Sequence, residues 1–270
     1  FSVLASQLTP HIFDKNALDK VVLPAGYKKQ LLDSIHAVTN KTRDSGVNIL
    51  LYGPPGTGKT MTASMLADSI ARPLIKLDGR EVFSDDYSFE ESLKSLLKKA
   101  GVWGAVLLFD EADSLLMSRD NTGGTTMKIA TMLRLMETHN SVCILTSNRA
   151  FDMDEAFIDR IHVRMQLPNL DDGAKCQVWQ KALNAIACKT TDWDILQLSK
   201  LDLNGRGIKL TIENAQSASQ ADGLETADID HIFTAADDLI SGVTVLNALK
   251  KKKMSEIAAK NGNRGTKVII

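Results

Sequence analysis

The sequence has no run approaching the ~20 apolar residues that cross a bilayer, so no membrane-spanning segment is expected. It has no charge excess either: 32 Lys and Arg face 33 Asp and Glu, a formal net charge of -1. A whole-surface attraction to nucleic acid is therefore not expected. Cysteine is scarce. Cys143, Cys176 and Cys188 are odd in number and lie in apolar or helical contexts. That argues against a disulfide framework and for buried thiols in a reducing compartment, the cytoplasm. The five histidines are scattered without metal-ligand spacing, and no zinc site is expected. Internal repeats, long low-complexity stretches and a signal-like start are also missing. The chain opens Phe1-Ser2-Val3 without a methionine, so it is expected to be a piece of a longer protein. What is there is ordinary globular composition, 44% hydrophobic and 24% charged over 270 residues. That is enough for one large domain, or a large one with a small one.

Residues 1–45 read as an arm followed by an amphipathic helix over Tyr27 to Val38, with Pro24 where a helix could begin. Five short apolar runs follow, separated by helical segments: 48–52 (NILLY), 73–77 (PLIKL), 105–109 (AVLLF), 142–146 (VCILT) and 162–167 (HVRMQL). Strands alternating with helices imply a parallel sheet covered on both faces. Beyond Pro168 the strand pattern fades, and 171–187, 193–200, 204–221 and 226–240 read as helices, with Asp171, Asn204 and Thr226 as N-caps for three of them. The expected division is an arm plus α/β domain over 1–169, an all-helical domain over 170–243, and a basic segment and frayed tail over 244–270. That last stretch carries Lys250 to Lys253.

The stretch Gly53-Pro54-Pro55-Gly56-Thr57-Gly58-Lys59-Thr60 fits G-x-x-x-x-G-K-[ST] completely, with a strand-like run before it and a helix-like run, Met61 to Ile70, after it. Glycines let backbone N–H groups turn inward around phosphates, and the helix that follows adds the positive end of its dipole. Lys59 is placed to reach the β- and γ-phosphates of ATP, and the Thr60 hydroxyl is a hard oxygen ligand for Mg²⁺. About 50 residues on, Val106 to Glu111 (VLLFDE) is an apolar strand ending in two carboxylates, facing the ligand crevice of an open α/β sheet. Asp110 is expected to hold the Mg²⁺, directly or through water, and Glu111 to polarise the water that attacks the γ-phosphate. Successive residues at a strand end point to different sides, so the two can do different work. Asp113 is left with capping or charge-complementing the next helix.

Gly53 to Thr60, Asp110-Glu111-Ala112-Asp113 and Thr146-Ser147-Asn148-Arg149, in that order, resemble the AAA+ ATPases, and the match runs from about residue 20 to 240. Trp103 to Asp113 (WGAVLLFDEAD), LTSN ending at Asn148, and Met153 to His162 (MDEAFIDRIH) are close to the AAA family proper. The resemblance implies an α/β P-loop NTPase fold with a five-stranded parallel sheet in the order 5-1-4-3-2 and a small all-α lid. It implies that Asn148 helps orient the attacking water. It implies that Arg160 is offered to a neighbouring subunit's γ-phosphate, a task that suits a planar, permanently charged guanidinium; the plainer alternative is an ion pair with Asp159 or Glu155. Arg164 is a second candidate. Arg206, in Asn204-Gly205-Arg206, is implied as a sensor reaching the phosphates from the lid. Val21, Val22 and Leu23 are implied beside the adenine, and Met61 completes the nucleotide-binding set. A homo-oligomer, a hexameric ring or a helical assembly, follows from the same resemblance.

Two departures stand out. Family members that thread polypeptides carry an aromatic residue followed by glycine after the second strand. Gly79 to Glu91 lacks that pair, leaving Phe83, Tyr87 and Phe89 as candidate pore residues or core residues. The pattern R-x-G-R is also absent; Arg160 and Arg164 stand at another spacing. The leading expectation is an ATPase that remodels a protein partner. The alternatives are a nucleotide-gated scaffold, against which Glu111 argues, and a DNA-associated loader or motor, which the near-neutral charge disfavours.

Overall fold

A computed structural model describes residues 12–39, 46–78, 89–113, 123–149 and 155–244. The chain divides into two compact units, Phe1–Asn169 and Leu170–Ile270.

In the first unit a short 3-10 turn, Ala17–Lys20, leads to helix α1 (Tyr27–Thr39). Strands and helices then alternate: β1 (Val47–Tyr52), α2 (Lys59–Ser69), β2 (Leu74–Asp78), α3 (Phe89–Trp103), β3 (Val106–Asp110), α4 (Gly123–Thr138), β4 (Val142–Ser147), α5 (Glu155–Ile158) and β5 (Val163–Gln166). The five strands form one sheet in the order β2-β3-β4-β1-β5, every pair parallel. This is the expected order, read from the other edge. Successive side chains of a strand point to opposite faces, and β1 uses both. Ile49 and Leu51 join Leu31, Ile35, Ala63 and Leu66 on the face covered by α1 and α2. Leu50 joins Leu93, Leu96, Met132 and Met136 on the face covered by α3 and α4. A strand buried on both sides has to read as an unbroken apolar run, and NILLY does, with one exception.

The exception is Asn48, wholly buried in β1. Its carboxamide is satisfied: Nδ2 donates to the carbonyls of Met136 (3.0 Å) and Arg160 (2.9 Å), and Oδ1 lies 2.7 Å from His139 Nε2. A buried amide with its partners in place stabilises the surrounding turn; the same amide unpaired would destabilise it.

The second unit is helical: α6 (Asp172–Ala185), α7 (Asp192–Ser199), α8 (Gly205–Ala221) and a last helix, α9, described over 229–244. Its core gathers Trp179, Leu183, Leu198, Ile208, Ile212 and Ile232. The buried Trp179 indole N–H donates to the Leu198 carbonyl at 3.1 Å. Asp171 caps α6 and Asn204 caps α8, each accepting from the backbone N–H three residues on. A capping box of Thr191 and Asp194 opens α7. The cap expected at Thr226 is instead Asp228, which accepts the His231 N–H at 3.0 Å, because the helix starts later than its apolar pattern suggests.

Among the described residues no helix is long and apolar enough to cross a membrane. Phe83, Tyr87 and Lys250 to Lys253 lie outside the described residues, as does the side chain of Phe89.

Candidate active site

The phosphate loop joins the end of β1 to the start of α2. Gly53 has φ +144°, and a Cβ there would overlap the Leu167 carbonyl oxygen, so the loop leaves the sheet along a path open only to glycine. The Gly53 N–H donates to the Ser147 carbonyl at 3.2 Å, anchoring the loop to the end of β4. Gly58, at φ +88°, turns the chain straight into α2, so that helix begins at Lys59, two residues before the expected start. Lys59 is buried, and its ammonium donates to the carbonyls of Gly53 (2.8 Å) and Pro54 (2.7 Å). The Thr57 hydroxyl donates to the Pro54 carbonyl at 3.0 Å. Pro55 and Met61 are exposed, and Pro54 and Gly56 are half-buried.

Asp110 ends β3 directly across from this loop. Its Oδ1 accepts from the Thr60 hydroxyl at 2.8 Å and from the Thr146 hydroxyl at 2.6 Å. Its Oδ2 faces the Lys76 ammonium at 2.7 Å. Burial pushes the Asp110 carboxyl up, but the Lys76 ammonium and the Thr146 and Thr60 hydroxyls outweigh it and hold the group below the usual carboxylate value. Thr60 and Asp110 thus turn two hard oxygens toward each other. That donor set fits Mg²⁺, which prefers oxygen and keeps positions for water and phosphate.

Glu111 turns off the strand with φ +53°, a left-handed conformation that a non-glycine residue adopts at a cost of about 1–2 kcal/mol. Thr146 holds this turn: its hydroxyl accepts the Glu111 N–H at 3.0 Å, and its carbonyl accepts the Ala112 N–H at 2.9 Å. The Glu111 side chain is exposed. Asn148, exposed at the tip of β4, is bracketed by Asp113. Asp113 Oδ1 accepts from the Asn148 N–H (2.9 Å) and the Ser147 hydroxyl (2.6 Å), and Oδ2 lies 3.5 Å from Asn148 Nδ2. Asp113 therefore positions the end of β4, a larger task than complementing a helix.

Arg160 sits elsewhere. It precedes β5, whose register places Val163 beside Ile49, and its own carbonyl is held by Asn48. From Asn48 to the first loop residue, Gly53, is five residues of strand (48 to 53), or roughly 16 Å at about 3.3 Å each. The guanidinium pairs with Glu137 on α4 at 2.6 Å and donates to the Ala156 carbonyl at 2.7 Å, while its Nε is buried without a partner. The expected alternative partners, Asp159 and Glu155, are replaced by Glu137, which the packing of α4 brings close. Arg164 is exposed on β5. Val21 is buried and Val22 and Leu23 are half-buried just after the 3-10 turn. Arg206 is exposed on the first turn of α8, in the second unit.

The contributions of Lys76, Thr146 and Glu137 went unassigned in the sequence. Thr146 alone carried a signal, its place one strand over from the acidic pair and two residues before Asn148.

Comparison with known proteins agrees with this geometry. Residues 49–169 match the profile described as "ATPase family associated with various cellular activities (AAA)". ATPase family AAA domain-containing protein 3-B of Xenopus laevis is 30% identical over 184 residues, covering 62% of this chain and 30% of that protein. The cell division cycle protein 48 homolog of Archaeoglobus fulgidus is 26% identical over 231 residues, covering 82% of this chain and 28% of that protein. This chain thus spans less than a third of either relative. The crystal structure of the FIGL-1 AAA domain matches with TM-score 0.68 at 19% identity, over 93% of this chain and 94% of that one. The same domain in complex with ADP matches with TM-score 0.64 at 18% identity, over 91% and 99%. At such identities the two structures speak to the fold.

Proposed function

The chain carries an AAA ATPase domain, and we propose that this domain binds ATP with Mg²⁺ and hydrolyses it to remodel a protein partner, each active site being completed by a neighbouring copy. The observation that carries the reading is the meeting of Thr60, 50 residues earlier in the chain, with Asp110 at one crevice, beside a glycine-rich loop and a turned-out Glu111.

The loop's backbone N–H groups and the start of α2 cradle the phosphates. Lys59 exchanges its two loop carbonyls for phosphate oxygens, a charge-assisted contact. Bound Mg²⁺, held by Thr60 and Asp110, would neutralise charge on the phosphates. Glu111 accepts proton density from the attacking water, and Asn148, fixed by Asp113, orients that water. The left-handed turn at Glu111, braced by Thr146, keeps the two adjacent carboxylates on separate tasks.

Arg160 cannot serve its own loop, since it stands at the other end of the strands with its carbonyl tied to Asn48. In our reading it reaches the γ-phosphate of the next subunit after leaving Glu137. Head-to-tail contacts of this kind close into rings or run on as helices; we propose a homo-oligomer, hexameric if closed. The helical unit acts as the lid and Arg206 as a nucleotide sensor. A reducing compartment, the cytoplasm, suits the free thiols Cys143, Cys176 and Cys188.

Steady-state turnover with direct ATP titration tests the reading. Glu111→Gln keeps ATP binding and loses around 10²-fold or more of turnover, the scale of a missing general base. Wild-type turnover in that variant means another residue activates the water.

A further inference from the structure

We infer that Lys76 is a built-in counter-ion for the carboxylate that holds the metal, one that Mg²⁺ must displace on loading. The inference rests on reading the crevice as a Mg²⁺–ATP site and names a control on that same site.

β2 is one of the two edge strands of the described sheet, and a lysine on an edge strand ordinarily reaches into solvent, where it discourages pairing with other chains. Lys76 does something else. Its register partner on β3 is Leu108, and Asp110 stands two residues further along on the same face. The lysine stem spans that step and sets its ammonium 2.7 Å from Asp110 Oδ2. The other oxygen, Oδ1, takes the Thr60 and Thr146 hydroxyls. The carboxylate is thus divided, one oxygen turned to the metal-binding hydroxyl and the other to a fixed positive charge. Asp110 is 13% exposed, so water shields it little.

Two opposed effects follow. Without a divalent cation, the ammonium offsets the repulsion between Asp110 and the nucleotide's phosphates, so ATP binds even when metal is scarce. With the cation present, the same ammonium repels it and competes for Asp110, so more Mg²⁺ is needed to fill the site. Lys76 therefore separates nucleotide binding from metal loading. Arginine preserves this charge. Methionine preserves the stem alone.

The test is fluorescence titration of methylanthraniloyl-ATP against the full chain, in EDTA and at stepped free Mg²⁺, for wild type, Lys76→Met, Lys76→Gln, Lys76→Arg and Lys59→Ala. Lys76 is half exposed, which tempers the effect, so Lys76→Met and Lys76→Gln should lower the Mg²⁺ midpoint by about tenfold and weaken binding in EDTA by several-fold. Lys76→Arg should follow the wild type. An Mg²⁺ midpoint within about twofold of wild type in both neutral variants, well short of one pKa unit's worth of interaction, overturns the inference. So does an arginine variant that shifts as far as methionine. Lys59→Ala separates the two readings. If it loses binding while the Lys76 variants do not move the midpoint, the crevice reading stands and the Lys76 inference alone falls. If Lys59→Ala binds like wild type, the crevice reading fails and takes the inference with it.

Discussion

The two ends of the parallel sheet are both rich in polar groups, but they are built in opposite senses. At the C-terminal end, around Asp110, the polar groups converge on a crevice: the Thr60 and Thr146 hydroxyls, the Lys76 ammonium and the exposed Glu111. At the N-terminal end, around Arg160, they turn inward. Asn48 is wholly buried, and its carboxamide joins Met136, Arg160 and His139. His139 Nδ1 accepts the Ser141 N–H at 3.1 Å, so the neutral ring carries its proton on Nε2, toward Asn48. The first end is arranged to meet a ligand. The second is arranged to hold one short turn, with Arg160 on it, in a fixed place. That is the placement the proposed shared site asks of Arg160: held in place, and away from its own phosphate loop.

The largest effect expected from breaking this contrast comes at Arg160. If Arg160 acts in trans as proposed, Arg160→Ala should bind ATP as wild type does and lose turnover on the scale of ~10³-fold or more. Equal loss of binding and turnover, in a titration run beside the kinetic assay, would mean that Arg160 acts on the fold.

Acid should separate the two ends. Burial, with His162 nearby, lowers His139 to about 4 from an ordinary 6.5. Between those values the unfolded chain binds the extra proton, so stability falls as pH drops from 6.5 toward 4, by up to about 3 kcal/mol. Asp110, held below its ordinary 3.8, stays ionised through this window. Thermal melts from pH 7 to 5 should therefore show the first unit weakening, and ATP titrations on still-folded protein should show the crevice intact. The second unit should respond with the other sign. His231, flanked by Asp228 and Asp222, has a raised pKa, so its contribution is full below 6.5 and is lost as pH rises through the raised value.

A smaller effect is expected from Asn48→Ala. It removes the partner of the Met136 and Arg160 carbonyls and of the His139 N–H, at about 1–3 kcal/mol for each group that water does not reach in the space left, read by denaturant melt. ATP affinity of the folded fraction should not change, since the phosphate loop lies at the other end of β1.

The same contrast explains what the sequence could and could not say. The crevice end was legible where chemistry demands particular residue types at fixed spacing: Gly53 to Thr60 and Asp110-Glu111 are recognisable before any folding. The strands were legible as apolar runs, to within a residue or so at their ends. Arg160 could be picked out by resemblance, but its partner could not. The sequence suggests neighbours on the same short segment, Glu155 or Asp159, whereas packing brings Glu137 from α4. Asn48 and His139 are 91 positions apart and carry no joint signal; only the β1–β4 register brings them together. Lys76 reads as an ordinary surface lysine until β2 is laid against β3.

The central claim is that the active site is shared between copies, and mixing two inactive variants tests it most directly. Lys59→Ala subunits lack the phosphate contact but keep Arg160; Arg160→Ala subunits keep the phosphate site but lack the arginine. Steady-state turnover should be low for each alone. In an equal mixture it should rise well above both, because some intact phosphate sites then face an intact Arg160 on a neighbour. A mixture no more active than the average of its parts, from variants shown to co-assemble, would contradict the account.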